Sequence, residues 1–224
     1  MSSPTTADLP KRLGSLFSSR FDRHYVAAKM RSDPLYDAVL RELDSSPLPL
    51  LDIGCGLGLL AFYLRSHGFE APLLSIDYDS RKIAEATRVA AQSDFQGLKF
   101  RHLDVRDGLP DHSGNVTILD ILHFFQPDEL QALLRGAAER TAPGGRLIIR
   151  TALRDNSWRY RITVAGDTLA KLTLWMKAGP VRYPSREDFE QAFAPIGKFT
   201  ITPLWGRTPF NSHLVVLNRN QSTP

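Results

Sequence analysis

The chain has 224 residues, 42% of them hydrophobic and 23% charged, with a formal net charge of +4 and a pI near 9.3. That is enough for one domain with a full core, and it argues against disorder over most of the length. No apolar run reaches the ~20 residues that cross a bilayer, and a single cysteine makes neither an internal disulfide nor a cysteine-based zinc site.

The opening stretch, "MSSPTTADLPKRLG", lacks the apolar centre of a secretory signal and reads as a lead-in, so a cytoplasmic protein is expected. Arginines crowd one segment (Arg150, Arg154, Arg159 and Arg161), with Arg182 and Arg186 beyond it. The ordinary reading of such a run is a solvated face. No nucleic-acid module and no basic stripe with interleaved aromatics is visible, and neither nucleic acid nor a metal is expected as a partner.

The N-terminal region, residues 9–45, reads as helical. Within it, Arg20 to Val39 suggests a lid helix followed by a second helix capped at Asp33, with Pro34 at its first position. From residue 48 onward strands and helices alternate. "PLPLLDI" is a strand and Leu57 to Ser66 a helix; "APLLSID" is a strand and Ser80 to Gln92 a helix capped by Ser80 or Asp79. "LKFRHLDV" and "NVTILDIL" are the third and fourth strands. "QPDELQALLRGAAERT" is a helix with Pro127 in its first turn, and "APGG" leads into the fifth strand, "RLIIRTA".

Strands separated by helices pair in parallel through right-handed crossovers. The end of the chain differs. After the helix "REDFEQAFAPIG", the strands "KFTITPL" and "HLVVLNR" are separated only by "WGRTPFNS", too short for a parallel crossover, so they should pair antiparallel. The expected fold is α/β, a doubly wound seven-stranded sheet, mostly parallel with an antiparallel last strand. Residues 1–45 would form a tail and helical lid on a Rossmann-like domain at 46–224, interrupted by a helical insertion at about 155–185.

The stretch "LLDIGCGLGLLAFYLRSHG" carries the chemistry. Gly56, Gly58 and Ala61 satisfy G-x-G-x-x-[GA], a weak dinucleotide fingerprint. The same loop also reads D-x-G-x-G-x-G through Asp52, Gly54, Gly56 and Gly58, which is more specific. A dinucleotide places its pyrophosphate at the helix N-terminus, where a strand-end carboxylate would oppose it. A ligand with an ammonium and a sulfonium, such as S-adenosylmethionine, would be attracted instead. Asp77, ending the second strand, suits a ribose in either case.

These residues, with "LLSIDYD", "FRHLDV", "ILDILHFF", "TAPGGRLII" and the final antiparallel strand, make residues 48–218 resemble the class I S-adenosylmethionine-dependent methyltransferases. The resemblance implies S-adenosylmethionine as cofactor, S-adenosylhomocysteine as product, and a cofactor set of Asp52, Gly54, Cys55, Gly56, Gly58, Asp77, Tyr78, Asp104, Val105 and Asp120. In it the glycine loop cradles the methionine part, Asp77 binds the ribose, and the end of the third strand meets the adenine. Cys55 reads as a small filler rather than a nucleophile.

Methyl transfer chiefly requires the acceptor atom to be held behind the methyl with water excluded. A hydroxyl or phenol also needs a base, whereas a carboxylate needs a cationic clamp. His123, just past Asp120 at the fourth strand's end, is the base candidate; its competing reading is structural packing. The acceptor pocket is expected from parts outside the core sheet. Candidates are Tyr25 and Lys29, four apart on one helix face, Trp158 with the stripe Tyr160, Leu169, Leu172 and Trp175 of the insertion, and Phe210 and Asn211 in the last hairpin.

A second resemblance, carried by "FDRHYVAAKMRSDPLYDAV", "LDILHFF" and "TPFNSHLVV", is to methyltransferases of bacterial aryl-polyene pigment biosynthesis. It implies an aromatic or carrier-bound acceptor, with the Arg150–Arg161 cluster facing an acidic acyl carrier protein. A small-molecule O-methyltransferase is therefore expected. A cofactor-binding module without turnover and a protein methyltransferase remain the alternatives.

Overall fold

The computed structural model describes residues 9–43, 46–172 and 180–220. Seven strands form one sheet in the order β3-β2-β1-β4-β5-β7-β6. They are β1 (Leu50–Ile53), β2 (Leu73–Asp77), β3 (Leu98–His102), β4 (Asn115–Leu119), β5 (Arg146–Ala152), β6 (Gly197–Pro203) and β7 (Ser212–Arg219). Only β7 runs against its neighbours, antiparallel to both β5 and β6. The chain divides into two compact units, Met1–Asp104 and Val105–Pro224.

In the first unit, β2 pairs in parallel with β1 and β3, in a register that sets Asp52 beside Ser75 and Asp77 beside His102. β1 starts at Leu50, later than its apolar pattern suggests, because Pro47 and Pro49 carry no N–H for a ladder. Helix α4 (Leu59–Ser66) buries every residue from Leu59 to Leu64. Its Phe62 is the hub of the packing, with the rings of Phe17, Phe95 and Phe100 centred 5.7 to 6.3 Å away. Helix α5 (Ser80–Ala91) starts at Asp79, whose carboxylate accepts from the Arg81 N–H.

The N-terminal region is helical where it is described: α1 (Leu9–Ser15), α2 (Arg20–Ser32) and α3 (Leu35–Leu43). Ser19 caps α2 and the Asp33 carboxylate accepts from Leu35 N–H at the head of α3. Gly14 lets α1 lie against α2, since a Cβ there would sit 2.9 Å from the Arg23 carbonyl.

In the second unit, β4 and β5 are parallel and β7 zips onto β5 along its whole length, from Arg146–Asn218 to Ala152–Ser212. Helix α6 (Pro127–Arg140) has Pro127 in its first turn and a reciprocal cap between Gln126 and Glu129. Helix α7 (Trp158–Leu172) occupies the insertion, and α8 (Arg186–Phe193) starts from a second reciprocal cap, Ser185 with Asp188. Phe189 and Phe193 of α8 pack on Phe199 of β6. Among the described residues no helix is long and apolar enough to cross a membrane.

Phe62→Ala removes the fully buried ring on which three others converge. Urea unfolding should show a loss of about 3–5 kcal/mol, the usual cost of an emptied aromatic site.

Candidate functional site

The glycine loop stands at the carboxyl end of β1. Gly54, Gly56 and Gly58 all have positive φ, at 75°, 55° and 75°. The Gly54 and Cys55 N–H groups donate to the Ile76 carbonyl at 2.8 and 3.0 Å, tying the loop to β2. At Gly58 a Cβ would lie 2.5 Å from the Phe100 ring, so the loop packs tightly on its inner side. At Gly56 a Cβ would meet nothing within 4 Å, which leaves open space beside the backbone.

Two carboxylates accompany this loop. Asp52 is only 1% exposed at the centre of β1. Asp77, also buried, accepts from Gly56 N–H at 2.7 Å through Oδ2 and from Asp79 N–H at 2.8 Å through Oδ1. A carboxylate has about four acceptor directions, so two remain. Burial, and after it the charges of Asp52 and Asp77, push the Cys55 thiol well above its ordinary range. This acidic surrounding suits a cation and disfavours a thiolate.

Tyr78 is exposed, and its carbonyl accepts from His102 Nε2 at 2.9 Å, which joins the ends of β2 and β3. Asp104 follows β3 and is half-buried; Val105 opens a short 3-10 turn, Val105–Asp107, in the second unit. Tyr25 and Lys29 both stand on α2 in the first unit. The Tyr25 ring stacks on Phe21, nearly parallel at 6.5 Å, and the Lys29 ammonium pairs with Asp33 at 2.9 Å.

In the second unit Asp120 follows β4 with φ 59°, the left-handed region that non-glycine residues seldom occupy. Its N–H still donates to the Arg150 carbonyl at 2.9 Å. Arg150 Nε lies 2.8 Å from both Asp120 oxygens and its Nη2 also reaches Oδ2, so guanidinium and carboxylate meet as a fork. Arg150 is 8% exposed. This corrects the reading of Arg150–Arg161 as one solvated face: β5 points Arg150 inward onto Asp120. Arg159 is likewise occupied, its guanidinium 4.8 Å from the Trp158 ring and 4.4 Å from that of Trp205. Arg154 and Arg161 lie exposed.

His123 sits in a 3-10 turn, Leu122–Phe124, three residues past Asp120. Its carbonyl accepts from Val181 N–H at 2.7 Å, while its imidazole has no hydrogen bond among the described residues. The ring is packed between Phe124 at 4.0 Å and Tyr183 at 5.7 Å. Burial lowers its pKa below the ordinary value, and the charges of Asp120 and Asp167 oppose that shift.

Of the acceptor candidates, Trp158 is 59% exposed at the start of α7, and Phe210 is exposed in the β6–β7 loop. Phe210 packs over Gly166 of α7, where a Cβ would come within 3.3 Å of its ring. Asn211 takes a different part from the one expected. It is buried, with its amide donating to the Leu153 carbonyl and to Asp155 Oδ2, and its N–H donating to Thr163 Oγ1. It anchors the hairpin loop to α7 and to the end of β5. Trp175 lies outside the described residues.

Sequence reasoning missed two residues. Tyr183 donates to Asp167 Oδ2 at 2.5 Å, and Tyr160 meets the Tyr183 ring edge-on at 5.5 Å. Asp167 reads in sequence as a polar position on an insertion helix, and Tyr183 lies in an aperiodic stretch. Sixteen residues separate them. The one local signal was the tyrosine inside "VRYPSRED", directly before a capped helix.

A family model described as a methyltransferase domain matches residues 44–183. The ubiquinone biosynthesis O-methyltransferase of Idiomarina loihiensis is 29% identical over 133 residues, covering 58% of this chain and 51% of the relative. The chain thus spans about half the length of that relative. The magnesium protoporphyrin IX methyltransferase of Synechocystis PCC 6803, solved with bound SAH, superposes with a TM-score of 0.61 at 18% identity, over 98% of this chain and 90% of that one. An O-methyltransferase family protein from Burkholderia thailandensis gives 0.66 at 18% identity, over 96% and 69%. At these identities the structures share the fold.

The raised Cys55 pKa has a direct chemical consequence. Iodoacetamide at pH 8 should label Cys55 in the native protein more slowly than in the urea-unfolded chain, by on the order of tenfold or more, because so little thiolate is present. Mass spectrometry of quenched time points would check it.

Proposed function

The chain belongs to the methyltransferase-domain family, and from that premise we propose that it methylates a hydroxyl group, by preference a phenol, on a small molecule. S-adenosylmethionine, when bound, supplies a methyl group on a positively charged sulfur and departs as S-adenosylhomocysteine. The first unit suits such a ligand. Open space beside Gly56 admits it close to backbone, and the buried Asp52 and Asp77 offer negative charge to an ammonium and acceptors to ribose hydroxyls. Gly54, Cys55 and Gly58 would line the methionine part, and Asp104 would take the adenine end. Val105 and Asp120 stand in the second unit.

The observation that carries the choice of acceptor is the imidazole of His123, packed on two rings and making no hydrogen bond among the described residues. A lowered pKa keeps it neutral at neutral pH, the state that accepts a proton. His123 takes the acceptor's hydroxyl proton and holds it as imidazolium, a charge that Asp120 and Asp167 favour. The same two carboxylates repel an anionic acceptor. Arg150, the cation a carboxylate substrate would need, is already forked onto Asp120. A phenol therefore fits better than a carboxylate. Of the arginines expected to meet an acidic carrier protein, the exposed Arg154 and Arg161 are the ones that would serve a carrier-bound acceptor.

Calorimetry with S-adenosylmethionine and turnover on a panel of phenols test this reading together. Asp52→Asn should weaken cofactor binding by about tenfold, the loss of one charge-assisted contact. His123→Gln should leave that binding intact and lower kcat on phenols by about 10²–10⁴. A protein that binds the cofactor but turns over no hydroxyl acceptor would be a binding module, and one that ignores the cofactor would overturn the proposal. In the parent enzyme the acidic limb of kcat/KM should fall below the ordinary histidine pKa of about 6.5, since the base stays neutral to lower pH.

A further inference from the structure

We propose that Asp167 of α7 and Tyr183, in the segment leading to α8, are the positioning residues of His123: Tyr183 fixes the plane of the imidazole and holds the Asp167 carboxylate where it steadies the protonated ring. The inference rests on the base role of His123 given above. Its geometry lies wholly within the second unit. The Tyr183 ring lies 25° from the plane of the imidazole, at 5.7 Å, and its hydroxyl donates to Asp167 Oδ2 at 2.5 Å. Tyr160, one turn into α7, braces the same ring edge-on at 5.5 Å.

The segment bearing Tyr183 is itself pinned. Val181 N–H donates to the His123 carbonyl at 2.7 Å, and Arg154 N–H donates to the Pro184 carbonyl at 2.8 Å. Arg182 Nη2 meets both Asp188 oxygens at 2.9 and 3.0 Å. Tyr183 is therefore fixed by its neighbours on either side before it touches Asp167.

Among the described residues, these titratable and charged groups surround His123. Asp120 lies on its own segment, with Arg150 of β5 forked onto it; Asp167 and Tyr160 come from α7, and Tyr183 from the pinned segment. Asp120 has its charge partly offset by Arg150. Even so, Asp120 is the larger of the two charges acting on the imidazole and Asp167 the second, and it is Asp167 that the Tyr183 hydroxyl holds in place. Burial, and after it the bond to the Asp167 carboxylate, hold Tyr183 above its ordinary pKa. It stays a donor throughout the working pH range.

The test is an NMR titration of the full chain labelled with ¹⁵N-histidine, His123 being assigned by the signal lost in His123→Gln. Asp167→Asn should lower the His123 midpoint by on the order of half a unit to one unit. Tyr183→Phe keeps the stacked ring but releases the carboxylate, and should lower it in the same direction by less. The double variant should fall no further than Asp167→Asn alone, as expected of residues acting as one device, and Asp167→Glu should recover part of the shift. In turnover, both single variants should lower kcat more than they change KM and move the acidic limb with the midpoint.

An unchanged midpoint in Asp167→Asn overturns the proposal, and so does an unchanged midpoint in Tyr183→Phe. If His123→Gln retains full turnover, the base reading fails, yet the titration still decides whether Asp167 and Tyr183 act on His123.

Discussion

The first unit depends on the carboxylate of Asp77. One oxygen receives the Gly56 N–H and the other the Asp79 N–H, so a single side chain at the end of β2 holds the glycine loop and the turn into α5. A buried carboxylate without such donors would be costly; here the donors are backbone groups that the loop and turn must satisfy in any case. The positive φ values of Gly54, Gly56 and Gly58 let the chain turn back toward that oxygen. A ligand bound there would meet a site already assembled, which spares it the cost of ordering the loop.

The second unit has a comparable device, in which the carboxylate accepts from a guanidinium instead of from backbone amides. Asp120 occupies a backbone conformation that costs about 1 kcal/mol or more for a residue with a Cβ, and the Arg150 fork holds it there. The turn that follows delivers His123 against the rings of Phe124 and Tyr183, where its imidazole makes no hydrogen bond among the described residues. An imidazole not committed to a neighbour is available to a substrate.

Much of this was legible in the sequence because it is local. Alternating apolar runs, the caps at Asp79 and Asp33 and the short link before β7 each follow from neighbours a few residues away, and the elements come in the order those signals give, though β1 starts later and β3 and β4 end earlier, at His102 and Leu119. The D-x-G-x-G-x-G spacing likewise located the loop beside two carboxylates. What could not be read are pairings set by the fold. Arg150 reaches Asp120 thirty residues back, Asn211 reaches Leu153 fifty-eight residues back, and Tyr183 meets Asp167 across part of the insertion. An arginine run has no period that says which member points inward, and an asparagine in a hairpin looks the same whether it faces solvent or anchors a helix.

The place of β7 between β5 and β6 also bears on how the molecule is made. β6 finds its partner in β7, which is synthesised after it. Until residue 219 has left the ribosome, β5 presents a bare row of amides and carbonyls, the kind of edge on which nascent chains associate. Synthesis from the N-terminus therefore completes the first unit early and leaves β5 and β6 of the second waiting on β7. A chain cut before β7 would leave both β5 and β6 with an unpaired edge.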